Sequence, residues 1–154
     1  MAPPLPDMTA SLQAPPLLKD EVDMTTFNQI AEIDDSGNSS FCISLYFDFF
    51  GQAEDTFKSM RSALDVQDYD RLSSLAHYIK GSSATVGLFK IHDGCERIER
   101  FSKQRVGGGA VTSPQDAQQQ QSTRQIRDVL AALQEHNKRA EGAFRRHFGM
   151  KTEA

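Results

Sequence analysis

DYDRLSSLAHYIKGSSATVG, residues 68–87, carries a helical apolar period from which the architecture can be built outward. At ~100° per residue, Leu72, Ala76, Ile79, Ser83 and Val86 fall on one stripe of a helix. Asp68 can cap its start, Asp70 places a carboxylate at the positive end of the helix dipole, and Gly87 is suited to end it. A stripe of this kind is stable only when other apolar faces cover it, so the flanking sequence has to supply them.

Both flanks do. Upstream, Asp65 to Gln67 leave room only for a tight connection to an earlier helix that begins after the capping candidates Asn38 and Ser39 and runs to about Leu64. Phe41, Leu45, Phe49, Ala53, Phe57, Met60 and Leu64 repeat along it at bundle spacing. Ile43, Phe47 and Phe50 fall on a neighbouring face, which predicts either burial beneath a further helix or a docking patch. That further helix is short, about Met24 to Ile33, with Phe27, Ile30 and Ile33 on one side and Asp34-Asp35-Ser36-Gly37 at its end. Downstream, Ile91, Cys95, Ile98 and Phe101 mark a helix from about Leu88 to Lys103. Ile126, Val129, Leu130, Leu133, Ala140, Phe144 and Phe148 mark another from about Ser122 to Phe148. Tight connections force antiparallel neighbours. The expected fold is therefore all-α, an up-down-up-down four-helix bundle with a short extra N-terminal helix.

Two regions lack an apolar period. Residues 1–22, with Pro3, Pro4, Pro6, Pro15 and Pro16, read as a disordered N-terminal tail ahead of a helical bundle at 23–149. Residues 105–121, from the Gly107-Gly108-Gly109 run to Gln118–Gln121, read as a flexible polar loop; alternatively, the glutamines, fair helix formers, extend the last helix backwards.

Composition narrows the function. The chain has 154 residues, 38% hydrophobic and 25% charged, enough for one domain with a core. Its 17 Lys+Arg stand against 21 Asp+Glu, a net charge of −4, which argues against nucleic acid or an anionic membrane surface as a partner. There is no signal-peptide pattern and no long apolar run, so the expectation is an intracellular protein. Cys42 and Cys95 read as small buried thiols rather than a disulfide. His77, His92, His136 and His147 show no metal-ligand spacing, and no metal is expected. His136 and His147 in particular lie three turns apart on one helix, too far to share an ion.

The chemistry concentrates in residues 77–83. His77, Lys80, Gly81 and Ala84 share a more exposed side of the 68–87 helix, beside the core stripe. Gly81 in a helix interior costs roughly 0.5–1 kcal/mol relative to Ala, and one turn after a histidine it clears space over the imidazole. An exposed imidazole is substantially neutral near neutral pH, so one ring nitrogen is free to attack phosphorus. Lys80, at i+3, can pair with oxygens of a group attached to that ring. Taken alone, His-x-x-Lys reads as an ordinary surface histidine with a solvated lysine, and Gly81 as a close helix crossing.

The longer pattern is more specific. His77-x-x-Lys80-Gly81-Ser82-Ser83-Ala84, then Val86-Gly87-Leu88 and Cys95-Glu96-Arg97-Ile98, resembles the histidine phosphotransfer (HPt) proteins of eukaryotic multistep phosphorelays, most closely the fungal phosphorelay intermediates. The resemblance runs from Phe27 to about Phe101, and the last helix fits by pattern only. It implies that His77 takes phosphoryl from the receiver aspartate of a hybrid sensor histidine kinase and passes it to response-regulator receivers. It also implies osmotic or oxidative stress signalling and a location in cytoplasm and nucleus; with no dimer signature in the sequence, a monomer is expected. Lys80 would hold the phosphoryl group, Gly81 would keep the surface open, and Ser82 and Ala84 would border the docking face with Phe47 and Phe50. Ser83 keeps its core-facing reading.

In such proteins a polar residue on the next helix often touches the imidazole, and the aligned position is Glu99, where fungal relatives can carry Gln. A carboxylate there can orient a ring N–H, yet repels an arriving phosphoryl charge; Lys103, one turn on, can compensate. No GxxxxGK[ST] loop and no paired acidic magnesium site occur, so the chain is expected to bind no cofactor and to rely on Mg²⁺ held by the receiver. The reading is of a phosphocarrier rather than a turnover enzyme. The alternative is an adaptor that docks receivers through the same face without accepting phosphate. A hydrolase finds no Ser/His/Asp or Cys/His constellation to support it.

Overall fold

A computed structural model of the chain describes residues 17–35, 37–107 and 113–150. Among the described residues six helices follow in order: α1 (Leu18–Glu21), α2 (Met24–Ile33), α3 (Ser40–Asp65), α4 (Tyr69–Val86), α5 (Phe89–Gly107) and α6 (Ser113–His147). The described residues contain no strand.

Local chemistry sets the ends. Asp23 accepts a hydrogen bond from Thr25 N at 3.0 Å and caps α2. At the start of α3 the left-handed Ser39 makes no side-chain cap; Asn38 accepts from Ser40 N at 3.1 Å and Asp34 from Cys42 N at 2.9 Å instead. Asp68 caps α4 through Arg71 N at 3.1 Å, as its sequence predicts. Gly87, at φ 77°, closes α4 in the left-handed turn that favours glycine, with Leu88 N donating to Ser83 O at 2.9 Å. A Cβ on Gly87 would also come within 2.9 Å of Thr26, because α2 leans on this turn and Asp23 N donates to Gly87 O at 2.8 Å.

The four long helices close a ring: α3 packs on α4, α4 on α5, α5 on α6 and α6 back on α3. Each long helix thus buries its stripe between two neighbours. The stripe read on α4 is buried residue for residue: Leu72, Ala76, Ile79, Ser83 and Val86. Phe144 of α6 anchors the end of the core near α2, with ring centroids 4.2 Å from Tyr46, 5.4 Å from Phe50 and 5.8 Å from Phe27. The Tyr46 hydroxyl donates to Val86 O at 2.8 Å, tying α3 to the end of α4.

Four expectations need correction. The tail does not reach residue 22: Leu18–Glu21 is helical, Glu21 and Val22 are buried, and Glu21 pairs with Lys90 at 3.3 Å and Arg139 at 3.8 Å. The anchor there is a tertiary ion pair, which composition does not reveal; residues 1–16 lie outside the described residues. The loop expected at 105–121 is helix at 105–107 and from 113 onward, leaving 108–112 outside the described residues. Ser113-Pro114 puts proline in the first turn, where its missing N–H costs nothing, and glutamines sustain the helix behind it. Phe50, offered as a docking residue, is 2% exposed. It is covered by Phe144 of α6, and the buried Asn137 donates to its carbonyl at 3.0 Å. Phe41, expected in the core, is 47% exposed, because the seam of α3 is established only from Cys42 onward.

Candidate phosphoacceptor site

His77 stands on α4 between the buried Ala76 and the half-exposed Tyr78, with its side chain 70% exposed. Its Nδ1 faces the Glu99 carboxylate of α5, at 3.2 Å from Oε1 and 3.3 Å from Oε2. Glu99 itself is buried, its side chain only 9% exposed. Lys103 donates to Oε1 at 2.8 Å and Lys80 to Oε2 at 3.0 Å. Burial alone acts to raise the Glu99 pKa. Hydrogen bonds from Lys103, Lys80 and His77, with the charge of Lys80, outweigh it and hold the carboxyl at about 2, so Glu99 is ionised. An ionised carboxylate only accepts hydrogen bonds, so Nδ1 must carry the ring proton. The lone pair of the neutral ring then lies on Nε2, away from Glu99.

The surroundings keep this nitrogen reachable. A Cβ at Gly81 would meet nothing within 4 Å, so the space one turn beyond His77 is open. Ser82 Oγ donates to Tyr78 O at 3.2 Å, Ser83 Oγ to Lys80 O at 3.0 Å and Thr85 Oγ1 to Gly81 O at 3.1 Å. These hydroxyls are thus folded onto the helix backbone. Ser83 is fully buried, as its core-facing reading requires, while Ala84 is exposed beside Gly81. On the other side Gln52 of α3 donates to the Tyr78 hydroxyl. Beneath the site lies the Cys95 thiol, which burial and the nearby Glu99 push up to about 12 despite Lys80, so it stays protonated and inert.

The structure therefore brings together His77, Lys80, Gly81, Ala84, Glu99 and Lys103. Phe47 does not join them: half-buried, it packs edge-on against Phe50 at 5.6 Å and under the Arg145 guanidinium at 5.1 Å. Sequence reading missed Gln52, and it missed Arg100, Glu96 and Gln104, which with Lys80, Glu99 and Lys103 line a groove of about 490 Å³ at the Glu99 carboxylate. It also gave no ligand role to His92, whose ring lies with Asp93 and Glu96 on the exposed surface of α5; their ligand-capable atoms all lie within 4.8 Å of one another. His92 Nδ1 already bonds Asp93 Oδ1 at 3.0 Å, as on any solvated helix face. Cys42 and Cys95 are free, buried thiols.

Residues 44–136 match the Hpt domain family. The chain belongs to that family. It is 38% identical over 98 residues to multistep phosphorelay regulator 1 of Schizosaccharomyces pombe, an alignment that covers 64% of this chain and 33% of that protein. It is 37% identical over 83 residues to the phosphorelay intermediate protein YPD1 of Saccharomyces cerevisiae, covering 53% of this chain and 49% of the relative. The Hpt chain thus spans between a third and half of the length of these curated relatives. In three dimensions it superposes on S. cerevisiae Ypd1, solved with the receiver domain of its downstream response regulator Ssk1. The TM-score is 0.71 at 23% identity, over 84% of this chain and 95% of that one. That likeness establishes the helical bundle. Among the described residues no helix of this Hpt protein is long and apolar enough to cross a membrane.

Proposed function

We propose that this Hpt protein is a phosphocarrier in which His77 Nε2 accepts a phosphoryl group from a receiver aspartyl phosphate and returns it to another receiver. The observation that carries the reading is an imidazole 70% exposed yet held by a buried carboxylate, with open space at Gly81 one turn away. His92 pairs with the 70%-exposed Asp93, whereas the carboxylate that holds His77 is 9% exposed. Attack of Nε2 forms the N–P bond as the P–O bond to the receiver carboxylate breaks, and the electron pair leaves with that carboxylate. The Nδ1 proton stays where Glu99 holds it, so no general base has to be found. Catalysis then consists of in-line positioning and charge neutralisation, to which Lys80 contributes from this chain and Mg²⁺ from the receiver.

By analogy with its relatives, we assign the donor to the receiver of a hybrid histidine kinase and the acceptor to a response-regulator receiver, in osmotic or oxidative stress signalling. On this reading the protein works as a monomer in cytoplasm and nucleus, binds no cofactor of its own and carries phosphate without ATP turnover. The face around His77, Gly81, Ser82 and Ala84 docks the receiver.

The test is onward transfer. Protein phosphorylated at His77 should lose its label to an unphosphorylated regulator receiver, and His77→Gln should bind that receiver without carrying label. Binding by both forms, with no label on either, would make the chain an adaptor.

A further inference from the structure

We infer that Lys103 is the cation that allows Lys80 to turn from Glu99, the residue that positions the His77 ring, to the incoming phosphoryl group. The inference rests on the reading of His77 as phosphoacceptor and deepens it.

Glu99 is engaged three times over: by His77 Nδ1, by Lys80 at 3.0 Å and by Lys103 at 2.8 Å. Lys80 therefore does not point at empty space awaiting phosphate; it is already held by a carboxylate. Its ammonium has three N–H donors, but any turn of Lys80 from Glu99 towards the phosphoryl group strips the carboxylate of counter-charge. Lys103 removes that obstacle. It comes from the same helix as Glu99, at i+4, and binds the other carboxylate oxygen, so Lys80 can depart without leaving a buried anion unpaired.

The charges support the same sequence of events. One carboxylate against two lysines leaves the resting cluster with one excess positive charge, which attracts an arriving phosphoryl anion in spite of Glu99. When Nε2 takes the phosphoryl group the ring retains its Nδ1 proton and becomes positive, facing the carboxylate that already accepts that proton. The phosphoryl group brings roughly two negative charges at neutral pH. The ring and the excess lysine charge cancel them, so the phosphorylated cluster is close to neutral. The two other charges lining the groove, Glu96 and Arg100, oppose each other and leave this balance unchanged.

A direct role for Lys103 on the receiver surface predicts a different experiment from a role through Glu99, which allows a test. Initial rates of transfer from a phosphorylated receiver domain would be measured for the full chain, Lys103→Gln, Glu99→Gln and the double variant. Lys103→Gln should slow transfer by at least about twofold, the low end of coupling within one ion-pair network. In the Glu99→Gln chain, where Lys80 is no longer held by a charge, Lys103→Gln should add nothing. An equal loss in both backgrounds overturns the inference and places Lys103 on the partner instead.

Imidazole ¹⁵N spectra give a readout that needs no partner. His77 should show the Nδ1–H tautomer in the wild type and in Glu99→Gln, whose amide oxygen still accepts, and a tautomer mixture in Glu99→Leu. An unchanged tautomer in Glu99→Leu overturns the positioning role. Failure of the wild type to accept label at all would overturn the phosphocarrier reading and this inference with it, whereas transfer with additive substitutions sinks the inference alone.

Discussion

Replacing Gly81 separates what the fold wants at this position from what the site wants. Gly81 lies inside α4, outside the left-handed region, and an added Cβ would meet nothing within 4 Å. The folded state therefore has no use for glycine here. Alanine should stabilise the protein by about 0.5–1 kcal/mol through helix propensity alone, raising Tm by roughly 1–4 °C for a chain of this size. Gly81→Gln should leave stability at or above wild type for the same reason, but it fills the space one turn from His77. Small misplacements of reacting groups cost up to ~100-fold in rate, so transfer from a phosphorylated receiver should fall by one to two orders of magnitude while the protein becomes no less stable. Thermal unfolding followed by circular dichroism, paired with label transfer, reads both quantities on the same samples. Wild-type transfer by Gly81→Gln would refute the claim that the open space is used, and a destabilised Gly81→Ala would refute the claim that it is open.

Gly94 should behave in the opposite way. Its Cβ would lie 2.5 Å from Leu133 Cδ2 where α5 crosses α6, so Gly94→Ala should cost about 1–3 kcal/mol by overpacking, relieved in part by Leu133→Val, as read by urea unfolding. Glu99, held at about 2 against an ordinary 4.5, contributes stability that is present above pH 4.5 and lost as pH falls towards 2. The stability difference between wild type and Glu99→Gln should therefore shrink across that window, and a constant difference would contradict the ion-pair cluster. The His136 pKa is lowered by burial and by the charges of Lys90 and Arg139, against Glu21 and Glu135. The unfolded chain then takes up this proton first, so stability should decline as pH drops below 6.5, less steeply in His136→Gln.

Sequence read the bundle well where one period decides the outcome. The α4 stripe, the α2 bounds at Met24–Ile33 and the stop at Gly87 all follow from spacing and end chemistry within a single helix. It read poorly where the answer depends on which neighbour arrives. Phe47 and Phe50 are adjacent on the α3 wheel, and only the position of Phe144 decides that Phe50 is core and Phe47 half-covered. Glu21 looked like part of a polar tail because its partners, Lys90 and Arg139, come from distant helices. Some misses had a signal. Asn137 sits at core spacing between Leu133 and Ala140, and Ser102, with the Glu99 already read as a site residue, continues the spacing of Cys95 and Ile98. A polar group at an apolar position needs a buried partner, and at Glu99 that partner set is the candidate site itself. His77 and Lys80 stood out by residue type and offset. The engagement of Lys80 by Glu99 required the crossing of α4 and α5 to be known.

Incubating the purified protein with a phosphorylated receiver domain and following the label decides whether His77 is the phosphoacceptor. Acid-labile, alkali-stable phosphate is expected on the wild type, located at Nε2 of His77, and none on His77→Gln of equal helicity. Label that persists in His77→Gln, or a folded wild type that takes none from several receivers, would contradict that role.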